Sequence, residues 1–353
     1  GLDTPVLIGG ATTSRAHTAI KIAPYYNGPV GHVQDASLVV GVCNDLMSKE
    51  RRSDFIEKLS QRHELERRRF ESRRDDGPQL ITWDEARTRC LETDWSAVDI
   101  PTPETLGLQE LESIPLEELV SYFDWSPFFW TWELKGKFPA ILEKKGVGKH
   151  ARELYDDAQR ILTRIIDEKL ITVRGVMGMW PANRVGEDVD LYDDASRTQT
   201  VARFHFLRQQ KPKPGKHTLS LADFVAPKDS GRLDYVGGFA VTAGAAVEQL
   251  ADSYRAENDD YSAIIVQALG DRFAEAAAEY VHKLMREQSG YGRGEEVQTG
   301  QAMTEDYLAF LIAEKYRGIR PAAGYPACPD HSEKETLWNL LDVEAKTGIG
   351  LTS

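Results

Sequence analysis

The stretch His150-Ala-Arg-Glu-Leu-Tyr-Asp-Asp-Ala-Gln-Arg-Ile-Leu-Thr-Arg-Ile-Ile-Asp-Glu-Lys169, followed shortly by Thr172-Val-Arg-Gly-Val-Met-Gly-Met179, decides the fold class of most of the chain. The first segment has apolar residues at helical spacing, and the second is a run typical of a buried strand. The helical stripe consists of Ala151, Leu154, Ala158, Ile161, Leu162 and Ile165. A long amphipathic helix that leads into a strand indicates a domain built from both kinds of element.

The sequence around this stretch predicts further helices and strands in no regular alternation. Helices are predicted at 115–123, 245–257, 261–287 and 303–316, and strands at 187–192, 199–207 and 235–242. Regular alternation of strand and helix would indicate a parallel sheet. The observed order therefore predicts an α+β fold with a mainly antiparallel sheet.

The N-terminal residues follow a different pattern. A buried strand at 5–9 enters a glycine turn and a helix over 14–22, and a second strand at 28–33 precedes a helix over 36–47. This order is typical of a parallel, doubly wound sheet. Because so short a segment cannot close such a sheet, we predict that residues 1–50 are the last βαβα portion of a Rossmann-like domain.

A highly charged segment lies between these two regions. Residues 48–76 are predicted to form a helix in which carboxylates interleave with the basic cluster 67–69, which favours a solvated interdomain helix over a nucleic-acid surface. The prolines of residues 77–104 indicate a linker. The predicted organisation is therefore a Rossmann-like portion at 1–50, a charged helix and linker at 51–104, and a second domain at 105–353.

Composition and charge narrow the class of protein. Hydrophobic residues make up 41% of the chain and charged residues 28%, as in ordinary globular proteins. The formal net charge of −13 argues against general affinity for nucleic acid, which depends on Lys and Arg neutralising phosphates. No apolar run approaches the roughly 20 residues that span a bilayer. The widely spaced Cys43, Cys90 and Cys328 form no disulfide framework, so a cytoplasmic location is predicted.

A proline-rich loop, Arg320-Pro-Ala-Ala-Gly-Tyr-Pro-Ala-Cys-Pro329, is the most informative candidate for a ligand site. Its prolines and glycine fix the backbone in a turning path, so holding a small ligand would cost little further entropy. Arg320 offers a planar fork to a carboxylate, and Tyr325 offers an aromatic face with a hydroxyl group. Composition alone gives more weight to a rigid surface loop with a salt-bridged arginine.

An aromatic segment, Tyr122-Phe-Asp-Trp-Ser-Pro-Phe-Phe-Trp-Thr-Trp132, is the second candidate. An acid in apolar surroundings needs a partner, and the ammonium group of a ligand is one possibility for Asp124. A core cluster in which Asp124 caps the following turn fits the same residues equally well.

Other motifs carry less information. Gly9-Gly-Ala-Thr-Thr-Ser14 allows a ligand to approach the backbone at a strand-to-helix turn, but it matches neither a phosphate loop nor a dinucleotide fingerprint. Cys328-Pro-Asp-His331 lacks a second pair at zinc spacing, so no metal site is predicted. No serine has the context of a catalytic nucleophile, and no catalytic residue is predicted.

Several of these segments, taken in order, resemble the C-terminal part of cobalamin-dependent methionine synthase. Ile8-Gly-Gly-Ala-Thr-Thr-Ser14 and Val33-Gln-Asp-Ala-Ser37 are similar to two cofactor-facing turns of its cobalamin-binding domain. Four further segments resemble its S-adenosylmethionine-binding reactivation (activation) domain, namely 123–129, 180–186, 221–227 and 320–329. The resemblance covers essentially the whole chain.

The resemblance implies a methyltransferase fragment that serves methionine and amino-acid biosynthesis. The family transfers a methyl group from methyltetrahydrofolate to homocysteine through bound cobalamin, which sometimes oxidises to an inactive form. The reactivation domain then supplies a methyl group from S-adenosylmethionine, and a flavodoxin-like partner supplies an electron. The implied partners are this electron donor and the cobalamin domain of the same polypeptide, with neither nucleic acid nor membrane among them.

The resemblance also implies the binding residues. Asp124 is expected to hold the α-ammonium group of S-adenosylmethionine, and Arg320 its α-carboxylate. The further contacts implied for this ligand are Gly324, Tyr325, Ala327, Glu275 and Glu314. Gly9 and Ala36 are the implied cobalamin contacts. Reduced cobalamin is itself the nucleophile, so the protein's part is mainly positioning.

Two departures from the family limit these expectations. The Asp-x-His-x-x-Gly segment, whose histidine ligates cobalt, is missing, so the cobalamin site is expected to be partial. The chain also stops short of the family's last strands, and we expect it to be a fragment cut at both ends. Two other hypotheses stay open: a non-catalytic docking module for an electron-transfer partner, and a stand-alone activator of other corrinoid proteins.

Overall fold

The computed structural model describes residues 4–9, 14–33, 39–75, 80–295, 297, 300–301, 303–325 and 327–351. The chain divides into two compact units, Gly1–Leu80 and Ile81–Ser353. No helix in the described part of the chain is long and apolar enough to cross a membrane.

The first unit contains a small parallel sheet and several helices. Its elements are β1 (Val6–Ile8), α1 (Arg15–His17), a π-helix (Thr18–Ile22), β2 (Val30–His32), α2 (Val39–Met47) and α3 (Arg52–Asp75). The two strands pair in parallel, with Val6 opposite Val30. The side chain of Ser14 accepts a hydrogen bond from the N–H group of His17 and so caps the first helix. This order agrees with the prediction, and the Rossmann-like classification stays a prediction.

The charged helix α3 neutralises its own basic cluster. Arg67 and Arg68 both pair with Glu64, at 3.2 and 3.0 Å, and Arg69 pairs with Glu66 at 3.2 Å. These partners lie three or four residues apart and therefore one helical turn away. The cluster is thus matched by carboxylates on the same helix.

The second unit is α+β, as the sequence predicts. Its strands are β3 (Gly107–Ile114), β4 (Val173–Val185), β5 (Asp188–Tyr192), β6 (Thr200–His205) and β7 (Asp234–Thr242). Its helices are α4 (Trp83–Arg87), α5 (Leu116–Val120), α6 (Ser126–Thr131), α7 (Gly148–Asp167), α8 (Ala246–Ala256), α9 (Asp260–Gln288), α10 (Glu305–Ile312), α11 (Glu333–Leu341) and α12 (Val343–Thr347). The sheet order is β3-β4-β5-β6, with β7 paired to the other edge of β4, and every pairing is antiparallel.

Strand β4 is longer than predicted because it continues through Pro181. The sequence predicts a strand over 172–179 only, and a proline lacks the N–H group that a central strand needs. In the structure, the pairing with β3 ends at Met179 and the pairing with β5 begins at Ala182. Pro181 therefore lies where the ladder on that edge is interrupted, and its missing donor is tolerated there.

The main core lies between the sheet and the long helices α7 and α9. Leu154 and Phe273 have no exposed surface, and the predicted stripe of α7 is buried at Ala151, Leu162 and Ile165. Phe129 of α6 packs in the same core, also without exposed surface. This core fixes α9 relative to the aromatic segment.

Residues 81–104, assigned to the linker from their prolines, hydrogen-bond within the second unit. The N–H group of Ile81 donates to the carbonyl of Gln210 at 3.0 Å. The hydroxyl of Thr218 donates to the carbonyl of Ala86 at 2.6 Å. The predicted limits of the domains stay predictions.

Two of the family-like segments meet at a buried ion pair. Asp223 of the segment 221–227 is fully buried and accepts from Arg208 at 2.6 Å. Arg184, in the segment 180–186, lies 3.4 Å from the same carboxylate. These segments therefore have a structural role, because the ion pair joins strand β4 at Arg184 to the segment 221–227 at Asp223.

Candidate functional site

Helix α9 organises the candidate site. Its polar residues Arg272, Glu275, Glu279, His282 and Arg286 follow one another at intervals of three or four. Residues at that spacing share one face of a helix. The face is therefore a continuous polar track along a largely buried helix, and Arg272, His282 and Arg286 of this track are buried as well.

Asp124 lies at one end of this track. Its carboxylate accepts a hydrogen bond from the N–H group of Ser126 at 2.9 Å, and its carbonyl accepts from Arg272 at 3.4 Å. Arg272 also donates to both carboxylate oxygens of Glu275, each at 2.8 Å. Asp124 thus caps the turn into α6, one of the two interpretations of the sequence, and Arg272 connects it to Glu275.

The aromatic segment around Asp124 belongs mainly to the core. Phe123 packs edge-on against Phe273 at a centroid distance of 4.9 Å. Trp125 packs edge-on against Phe128 at 5.4 Å. The aromatic rings therefore hold the backbone of Asp124 against α9.

Arg320 and Glu279 form an ion pair at the next turn of α9. The Nη2 group of Arg320 donates to the Oε1 atom of Glu279, and the two side chains are 29% and 24% exposed. Burial raises the pKa of Glu279, and the guanidinium groups of Arg320 and Arg286 oppose this only in part. The Nε of Arg320 and the Oε2 of Glu279 are buried and have no hydrogen-bond partner within the described residues.

His282 and Tyr316 complete the surroundings of Arg320. The ring of His282 packs edge-on against Tyr316 at 5.0 Å, and the guanidinium of Arg286 lies 4.1 Å from the centre of the same ring. Burial, with the charges of Arg286 and Arg320, lowers the pKa of His282 to about 3. The imidazole is therefore neutral at physiological pH and adds no positive charge to the site.

The proline-rich loop is a compact turn. Gly324 has a φ of +95°, and its N–H group donates to the carbonyl of Cys328 at 2.8 Å. The carbonyl of Ala327 accepts from the N–H group of Leu221 at 2.9 Å, so the loop is fixed to the neighbouring segment. Tyr325 is 62% exposed and presents its ring to solvent.

The structure brings most of the implied ligand contacts to α9. Glu314, exposed just after α10, lies close enough for its charge to raise the pKa of Glu279. Glu275 and Glu279 are one turn apart, which puts their Cβ atoms about 5–6 Å from each other. We define the α9 site by Asp124, Arg272, Glu275, Glu279, Glu314 and Arg320.

The two implied corrinoid contacts belong to the first unit. Gly9 directly follows β1, and a Cβ atom added there would lie 3.1 Å from the carbonyl oxygen of Val33. Glycine therefore permits a close approach between the two turns that follow the strands. Ala36 lies outside the described residues.

Sequence reasoning missed several residues of the α9 site. Arg272 and Glu279 belong to no motif, and their only local signal is polar spacing along a largely buried helix. The neighbouring His282 has the same signal, whereas Tyr316, which follows α10, has none. The described part of the chain holds no group of three or more His, Cys, Asp or Glu side chains that could bind a metal.

Comparison with known proteins finds similar proteins for most of the chain. A family described as the activation domain of vitamin B12 dependent methionine synthase matches residues 115–353. A solved structure, described as the MetH reactivation domain bound to AdoHcy, is 47% identical in sequence, with a TM-score of 0.72. The alignment covers 78% of this chain and 82% of that chain. All residues of the α9 site lie within the matched range.

Proposed function

The chain belongs to the family of the activation domain of vitamin B12-dependent methionine synthase, and we propose that it binds S-adenosylmethionine and presents its methyl group to a corrinoid. The observation that carries this proposal is the related structure bound to AdoHcy at 47% identity. AdoHcy is S-adenosylmethionine without the methyl group that is transferred. The comparisons support neither a purely non-catalytic docking module nor a stand-alone activator.

The α9 site has the side chains that this ligand requires. Arg320 supplies a guanidinium fork for the α-carboxylate, and the turn at Gly324 and Tyr325 supplies a rigid wall with an exposed aromatic face. Asp124, Glu275 and Glu314 supply negative charge for the ammonium and sulfonium groups. The site has more carboxylates than guanidinium groups, which favours a ligand whose methylated form carries a net positive charge.

The methyl acceptor is a corrinoid, which is a substrate of this domain. Ligands of open parallel sheets bind beyond the carboxyl ends of the strands, which is where Gly9 lies. This position supports Gly9 as a backbone contact of the acceptor, with Ala36 as the second proposed contact. The protein's task is then mainly to position the methyl donor, because positioning lowers the barrier to methyl transfer.

The reductive step needs an electron from a partner. We propose a flavodoxin-like electron donor and the cobalamin domain of the same polypeptide as the partners, on the basis of family membership. The role proposed for this chain is confined to reactivation of the cofactor. Methyl transfer to homocysteine requires other parts of methionine synthase.

Isothermal titration calorimetry of the chain with S-adenosylmethionine and with AdoHcy tests the proposal. We expect saturable binding of both ligands. ATP serves as the control, because it shares the adenosine group but lacks the amino-acid end. Absence of saturable heat with both ligands, or equal affinity for ATP, would contradict the proposed function.

A further inference from the structure

The stretch that contains strand β6 carries positive charge without acids of its own. Residues 195–222 contain no Asp or Glu, although the formal net charge of the whole chain is −13. The arginines of this stretch find partners in neighbouring elements. The contacts are Arg197 to Asn183 at 3.0 Å, Arg203 to Asp190 at 2.5 Å and Arg208 to Asp223 at 2.6 Å. The charge that remains unmatched belongs to the lysines that follow Arg208.

The loop 211–217 holds these lysines. Lys211, Lys213 and Lys216 are exposed, and none of them forms an ion pair with a residue that the structure describes. Like charges within a few residues of one another repel, and a bound anion relieves this repulsion.

The backbone of the loop is restricted by its own sequence. Pro212 and Pro214 limit the available conformations, and Gly215 has a φ of +68°. The N–H group of Lys216 donates to the carbonyl of Lys213 at 3.1 Å and closes the turn between them. The two lysines are therefore held on one tight turn.

Both ends of the loop are fixed to the second unit. The N–H group of Gln209 donates to the carbonyl of Leu219 at 2.9 Å. The N–H group of Thr218 donates to the carbonyl of Arg89 at 3.0 Å, which ties the loop to the end of α4. The backbone is thus in place before a ligand arrives, and this lowers the entropic cost of binding.

A cavity of about 490 Å³ lies against this turn, lined by Arg89 and residues 212–217. Its lining residues include two lysines, an arginine and a histidine, and none of them is an acid. Arg89 also pairs with Glu85 at 2.5 Å, and its side chain is still 47% exposed. The volume lies in the range of small-molecule sites, and walls of one charge sign concentrate counter-ions. The ligand class that fits the cavity is a compact polyanion.

We propose that this cavity binds the phosphate chain of a small molecule, either a free polyphosphate or the phosphate groups of a nucleotide. Phosphate groups present several charged acceptor oxygens, which suit ammonium and guanidinium donors together. Lys213, Lys216 and Arg89 are the residues that hold the chain. The cavity shares no residue with the α9 site, and its assignment does not depend on the proposed function.

Isothermal titration calorimetry with inorganic tripolyphosphate tests the site. We expect the double variant Lys213→Gln/Lys216→Gln to bind this probe about tenfold more weakly than the wild type, because it loses two charged contacts. The matched control is Lys145→Gln/Lys149→Gln, which removes the same charge from two exposed lysines outside the loop. Screening by salt limits the reach of distant charges, so the control should change the affinity less than about twofold. Saturating AdoHcy should leave the binding of tripolyphosphate unchanged.

Three results would overturn the proposal. The first is no saturable heat with the wild type, and the second is equal weakening in both double variants, which would reduce the effect to net charge. The third is displacement of tripolyphosphate by AdoHcy, which would locate the anion in the α9 site. Thermal unfolding of each variant checks its folding.

ATP, titrated in the presence of saturating AdoHcy, distinguishes the two sources of the phosphate chain. A nucleotide site predicts tighter binding of ATP than of tripolyphosphate, and a site for the free chain predicts equal or weaker binding of ATP. In either case Lys213→Gln/Lys216→Gln must weaken the binding. Undiminished binding of both probes by this variant would exclude the cavity as their site.

Discussion

The ammonium nitrogen of Lys283 lies 3.2 Å from a carboxylate oxygen of Glu295, and the side chain of Lys283 has no exposed surface. Glu287 and the hydroxyl of Tyr307 approach the same nitrogen, each at 3.0 Å. Glu295 also pairs with Arg286 at 2.9 Å. This network connects α9 to the segment before α10, and α10 leads into the loop that carries Arg320.

Replacing Lys283 by methionine should destabilise the second unit strongly. A buried charge network that loses one member leaves uncompensated charges, at a cost of about 3–5 kcal/mol. Lys283→Met leaves Glu295 with Arg286 as its remaining cation and leaves the hydroxyl of Tyr307 without the ammonium. Urea unfolding, followed by tryptophan fluorescence, should show a lower midpoint than that of the wild type.

The control for this prediction is an exposed lysine. Lys149 is 91% exposed and lies 3.8 Å from Glu153. Exposed pairs contribute little to stability, so Lys149→Met should leave the midpoint unchanged. Equal midpoints for Lys283→Met and Lys149→Met would show that the buried network does not stabilise this unit.

His282 should make the protein less stable in mild acid. Its pKa is lowered from 6.5 to about 3 in the folded protein, so the unfolded chain binds the proton more tightly. Stability from the neutral imidazole is fully present above pH 6.5 and is lost progressively as the pH falls towards 3. At pH 5 this loss amounts to about 2 kcal/mol.

The variant His282→Phe keeps an aromatic ring against Tyr316 and removes the titrating group. Its free energy of unfolding, measured by urea at pH 7.5 and pH 5, should therefore fall by less than that of the wild type. The exposed His150 is the control, and His150→Phe should follow the wild-type pH dependence. Parallel curves for the wild type and His282→Phe would mean that His282 is not the group responsible.

The fold was predictable where apolar spacing was regular. The stripe of α7 and the apolar runs of the central strands gave the α+β class, because burial of one face requires that periodicity. Strand β3 was missed because Leu108 points to solvent and Gln109 is partly buried, which reverses the expected alternation. Helix α6 was missed because its short aromatic run has no helical period.

Residues of the candidate site could be named from the sequence only where a local motif or the family resemblance marks them. Arg320, Gly324 and Tyr325 lie in one proline-rich loop, whose composition restricts the backbone. Glu279 is one of several acids on α9. It belongs to the candidate site because it contacts Arg320, which is 41 positions away in sequence. Such contacts depend on how the helix and the loop pack, which spacing within one helix does not encode.

Gly324 should tolerate no side chain. Its φ of +95° is a conformation that other residues rarely adopt, and an added Cβ atom would lie 2.6 Å from the ring of His331. We expect Gly324→Ala to lower both thermal stability and AdoHcy affinity. His331→Ala removes the clash but not the strained backbone, so the double variant should recover only in part. Full recovery would show that the clash alone limits this position.

Lysine should not substitute for Arg320 in ligand binding if the guanidinium group holds a carboxylate through two parallel hydrogen bonds. Lysine keeps the positive charge but presents a single nitrogen, so it loses the two-point contact. Charged hydrogen bonds of this kind contribute about 1.5–3 kcal/mol each, so Arg320→Lys should weaken AdoHcy binding about tenfold and Arg320→Ala about a hundredfold. Arg317, which lies 4.5 Å from the ring centre of Tyr291, provides the control, and Arg317→Ala should bind normally. Wild-type affinity in Arg320→Lys would mean that charge alone, without the fork, holds the carboxylate.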